Sequence, residues 1–113
     1  MRRANMKKLR LDLRFVVYRE GEYWFAHSLE LDIVAEAKDT ASALADALRL
    51  CALQLQFASD EGDLGSVFRP APPEIWAMYA KAHDAPSLAT AESWPESVSI
   101  DKVEVRELEL CAI

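Results

Sequence analysis

The chain has 113 residues and a net charge of −6, the size of one domain whose core needs no disulfide or metal staple. Hydrophobic residues make up 51% of it, yet no apolar run reaches the length of a membrane-spanning helix, and the basic N-terminus lacks the apolar stretch of a secretory signal. Charge is uneven: residues 1–19 hold seven basic side chains and one acid, whereas residues 20–113 hold six basic and eighteen acidic ones, a net −12. Such an acidic body repels nucleic acid and favours a basic protein partner.

Residues 1–8 read as a flexible basic lead, and residues 9–113 as a single α+β domain. From Leu9 to Tyr18, Leu9, Leu11, Leu13, Phe15 and Val17 alternate with Arg10, Asp12, Arg14, Val16 and Tyr18, the period of a half-buried strand. Arg19 to Glu22 makes a turn, in which Gly21 can take a positive φ. Tyr23-Trp-Phe-Ala-His27 reads as a second strand and Ile33–Ala37 as a short third, with Leu29–Asp32 as the corner between them.

Asp39 or Thr40 caps a helix that runs until Gly62. Leu44, Leu48, Cys51, Leu55 and Ala58 form one apolar stripe, which suffices to cover a sheet. Leu50, Leu53 and Phe57 form a second stripe, which must meet a later segment or another chain. The apolar residues of 64–80 are expected to cover part of it. Pro73 opens a short helix over 74–82. Residues 83–97 read as a mobile loop, and residues 98–110 return to strand chemistry. The apolar phase slips at Asp101-Lys102 and again at Arg106-Glu107, so a bulge is expected at each. The order β-β-β-α-(α)-β gives a two-layer sandwich, a sheet with one long helix packed on a face.

Candidate functional residues fall in a few places. Glu30, Asp32 and Glu36 gather at the corner, where carboxylates could pair with the Arg or Lys of a basic partner. Trp94, in a Pro-rich loop, is the aromatic residue best placed to anchor an interface. His27 stands alone, with no Cys or Asp at metal spacing, and reads as a satisfied strand histidine. Cys51 and Cys111 read as buried thiols of a cytoplasmic protein. No cofactor or metal motif occurs.

The residues around the corner resemble a known family. Gly21, Ala26-His-Ser-Leu-Glu-Leu-Asp32, Ile33-Val-Ala-Glu-Ala37 and the Lys38-Asp-Thr40 helix opening are similar to HicB antitoxins and their stand-alone relatives. The resemblance spans about residues 9–58, and Ala71-Pro-Pro-Glu-Ile-Trp76 resembles what some relatives carry after the helix. It implies a trimmed ribonuclease-H-like sheet without catalytic acids, binding a small basic HicA-type ribonuclease toxin. Lys38 stands where the family has a glycine, and Glu30-Leu31-Asp32 replaces a proline-glycine corner. Only Cys111-Ala-Ile113 follows the last strand, so direct DNA binding through a C-terminal module is not expected. Self-association is expected, through the surplus helix stripe or an edge strand.

An alternative reading is a metal-dependent nuclease remnant. A ribonuclease-H-like centre wants acids on the first strand, the helix and the last strand, and Asp12, Asp46 and Asp101 fall on those elements. A repurposed oligomeric or ligand-binding domain of the same type is a further alternative.

Overall fold

The computed structural model describes residues 9–88 and 93–111, and of Glu109 to Cys111 the backbone alone. The basic lead thus lies outside the described residues. Strand β1 (Leu9–Glu20) turns through Gly21, at φ +62°, into β2 (Tyr23–Ser28), and β3 (Val34–Ala37) completes a meander. Helix α1 (Thr40–Asp60) follows. A 3₁₀ turn at Leu64–Val67 leads to α2 (Pro73–Lys81), then the two-residue strand β4 (His83–Asp84), a second 3₁₀ turn at Pro86–Leu88 and the last strand β5 (Val98–Cys111). The five strands lie in the order β3-β2-β1-β5-β4. β5 runs parallel to β1, and every other pairing is antiparallel.

Local chemistry explains the boundaries of α1. The Asp39 carboxylate accepts from the Ser42 amide at 2.7 Å and from its hydroxyl at 3.0 Å, satisfying a first-turn donor. At the other end, Gly62 takes φ +70°, and its amide donates to the Ser59 carbonyl while the Asp63 amide donates to Ala58. That double closure needs the left-handed residue that glycine supplies without strain. One face of α1 is buried on the sheet: Leu44, Leu48, Cys51 and Leu55 meet Leu11, Leu13, Phe15, Val17, Ala26 and Val105.

The expected α+β architecture is present, with one addition. The opposite face of the sheet also carries a core, where Val16, Tyr18 and Leu29 pack against Ala71, Ile75 and Tyr79. Val16 and Tyr18 belong to the phase of β1 that otherwise holds Arg10, Asp12 and Arg14. The strand is therefore half-buried at its start and buried on both faces from Phe15 to Tyr18. Two backbone bonds route the chain to that face. The Arg69 amide donates to the Glu30 carbonyl at 3.1 Å and the Ala71 amide to Leu29 at 2.8 Å. Pro70, Pro72 and Pro73 hold the segment extended between them and α2.

This routing corrects the expectation that residues 64–80 cover part of the second stripe of α1. Leu64 and Val67 join the α1-side core, but the following residues cross to the other face. Leu50, Leu53 and Phe57 are left 43%, 59% and 64% exposed. The register of β5 shifts by one residue beside Leu11 and Asp12, an extra residue at Asp101 as its phase slip required, and Val98, Ile100, Val103 and Val105 all reach the α1-side core. The second shift lies between the partners Glu107 and Cys111, just after the expected slip. The expected loop after α2 also contains structure, since His83 and Asp84 pair with Glu107 and Arg106.

Candidate interaction surface

The corner between β2 and β3 is a closed hydrogen-bonded unit. The Ser28 amide donates to the Ile33 carbonyl, the Asp32 amide to the Ser28 carbonyl and the Leu31 amide to the Ser28 hydroxyl. Asp32 adopts φ +53°, a left-handed conformation that aspartate tolerates better than most residues. Its carboxylate lies 2.7 Å from His27 Nε2, and because a carboxylate accepts, Nε2 is the donor. His27 Nδ1 is buried and without a partner, which makes this histidine half-satisfied.

Glu30 points back across the sheet instead of outward. One carboxylate oxygen accepts from the Arg14 amide at 2.8 Å and the other from Arg14 Nε at 2.6 Å. Only 13% of the Glu30 side chain is exposed, and its hydrogen bond raises the Arg14 guanidinium above its ordinary value, against the opposing effect of burial. Arg14 also lies over the Trp76 ring, 5.0 Å from its centroid, a cation–π contact that ties α2 to the corner. Of the three corner acids, then, Glu30 and Asp32 have internal partners, and Glu36 is exposed on β3.

The remaining candidates are dispersed. Trp94 is half-buried against the α1-side core. Asp12 is exposed on β1, Asp46 pairs with Arg49 on α1, and Asp101 pairs with Arg10 at 3.1 Å. Among the described residues no three His, Cys, Asp or Glu side chains are grouped to hold a metal ion. Cys51 is a free thiol, and burial pushes it up to about 12 even though a hydrogen bond with Ser28 opposes the shift. It is a core residue without thiolate character near neutral pH. The side chain of Cys111 lies outside the described residues.

The outer face of α1 carries apolar side chains, the exposed Asp46–Arg49 pair and an acidic end. On α1, where successive residues turn by about 100°, Leu53 points away from the sheet. Leu50 and Phe57 lean to one flank, beside Gln54. Ser59 leans to the other flank, where its hydroxyl bonds that of Ser97, just before β5. The Gln54 flank overhangs a shallow cavity of about 160 Å³ lined also by Asp32, Ile33, Ser66 and Arg69. The apolar flank of α1 therefore lies on the β3 side of the molecule. At the C-terminal end of α1, Asp60, Glu61 and Asp63 are all exposed, with no basic residue in the last turn. Carboxylates at this end add to the negative pole of the helix, so three of them disfavour the fold locally. Sequence reasoning missed this acidic end. The signal was there, in acids occupying the last turn where a helix prefers Lys or Arg.

Comparisons with protein-family models, with curated proteins and with solved structures found no match to this chain. Among the described residues no helix is long and apolar enough to cross a membrane.

Proposed function

We propose that this protein is an interaction module of the HicB antitoxin type, with a trimmed ribonuclease-H-like sheet, that binds a small basic ribonuclease of the HicA type and covers its active site. The observation that carries this reading is the acidic end of α1: Asp60, Glu61 and Asp63 crowd a helix terminus that is already negative, beside the exposed Leu53. Proteins tend to break a local stability rule where function requires it. An apolar centre rimmed by carboxylates suits a partner whose Lys and Arg surround an apolar patch. The three-stranded meander, the long helix and a last strand parallel to the first make an α+β sandwich, the general architecture that a module of this type needs.

The corner then has a supporting role. Glu30 and Asp32 hold the backbone that positions β3 and α1, and Glu36 adds to the outward negative field. The reading is tested with the reading frame beside that of this chain. Its short basic product should cleave RNA, and an equimolar amount of this protein should arrest the cleavage. Charge reversal at Asp60, Glu61 and Asp63 together should weaken that arrest at least tenfold and reduce its salt dependence. Cleavage that continues undiminished beside the wild-type protein, or a neighbour with no basic product, overturns the reading.

A further inference from the structure

We propose that two copies of this chain associate through β3, forming a continuous ten-stranded sheet in which the two α1 helices pack side by side. Among the described residues β3 is the edge of the sheet and pairs on one side only. The bond from the Ser28 amide to the Ile33 carbonyl fixes the alternation of the ladder, so Ile33, Ala35 and Ala37 bond inward to β2. The amides and carbonyls of Val34 and Glu36 therefore point outward, available to another strand.

An antiparallel pairing of β3 with itself, centred on Ala35, uses all four of these groups. It sets Val34 opposite Glu36 of the second copy, twice by symmetry. A carboxylate thus faces a valine and not its own copy, as it would in the register centred on Glu36. The same register directs Lys38 toward the Asp32 end of the second copy, an opposite-charge approach at both ends of the seam.

The helices decide between a second copy and any other strand. α1 lies above β2 and β3. Strands are spaced by about 4.8 Å, so a two-fold axis at the β3 edge puts the two α1 axes about two spacings, or roughly 10 Å, apart. That is the separation of directly packed helices. The flank of α1 that leans over this edge carries Leu50 and Phe57, 43% and 64% exposed. A bare peptide strand added to β3 leaves those side chains in water, whereas an identical chain covers them with their own counterparts. The helix flank thus forms a seam that is apolar above the sheet and hydrogen-bonded within it, while Val34 and Glu36 of the two copies meet on the opposite face.

The full chain is tested by sedimentation equilibrium at micromolar concentration, where the proposal expects twice the 12.7 kDa chain mass. Glu36→Pro removes an outward donor and leaves the bonds to β2 in place, so it should abolish the dimer while the far-ultraviolet circular dichroism persists. Val34→Glu tests the register without touching the backbone. The introduced carboxylate faces Glu36 of the second copy at two symmetric positions and should weaken the dimer about tenfold. Adding Glu36→Lys to that variant turns both repulsions into attractions and should restore the dimer. A monomeric wild-type chain, a dimer unaffected by Glu36→Pro, or a double variant no tighter than Val34→Glu alone overturns the proposal.

Discussion

The corner between β2 and β3 and the C-terminal end of α1 carry similar acidic clusters put to opposite use. At the corner, Glu30 finds Arg14 and Asp32 finds His27, and both carboxylates are held inside a hydrogen-bonded frame. At the helix end, Asp60, Glu61 and Asp63 are exposed, and Asp60 accepts a side-chain bond from Gln56 of the same helix. The first cluster stabilises the protein and the second works against it. Charge density alone therefore does not mark a binding surface, because a carboxylate held by a hydrogen-bond donor brought in by the fold is structural whatever its neighbours in sequence.

Removing acids should separate the two clusters. Glu30→Ala strands the Arg14 guanidinium and its amide, two bonds at once. Such losses amount to about 3 kcal/mol, toward the low end for a broken pair because Arg14 keeps 39% of its side-chain exposure. The midpoint of urea unfolding should fall with an unchanged slope. An unshifted midpoint would mean that water replaces Glu30 without loss. Asp32→Ala takes the partner from His27 and leaves an alanine at φ +53°, with an expected loss of about 2 kcal/mol. Asp32→Asn keeps an acceptor and a residue suited to that conformation, and should lose less than about 1 kcal/mol. Equal losses for the two variants would show that charge, not backbone geometry, governs the corner.

The contrast also shows what could be read from sequence. The alternation from Leu9 to Val17, the Asp39 cap and the extra residue at Asp101 are local signals, and each element they announce is present. The second core was written less openly. Val16 and Tyr18 sit in the polar phase of β1, and two large apolar residues there indicate a face that something must cover. Alternation cannot say what covers it. Likewise, an acid at position 30 looks solvated until the fold brings Arg14 from sixteen residues away. Tertiary partners of this kind leave no periodic trace, and for that reason the corner resembled a docking site. The exposed stripe of α1 was legible as surplus, but its lack of cover follows from the path of Pro70 to Pro73 over the other face.

The smallest expected change discriminates best. Glu61→Lys replaces an acid by a base at the negative pole of α1, with no side-chain partner to lose among the described residues. Helix-dipole effects of this kind stabilise by about 0.5 kcal/mol in an exposed last turn, so the thermal midpoint should rise by a few degrees at most. The same substitution removes part of the field that would draw a basic partner, so association should slow, and slow less as salt is added. Stability and binding should therefore move in opposite directions at this one position. At Glu30 the two should fall together, because binding there declines only as the frame loosens. If Glu61→Lys lowers the thermal midpoint, the acidic end of α1 has a structural partner of its own, and the division between the two clusters fails.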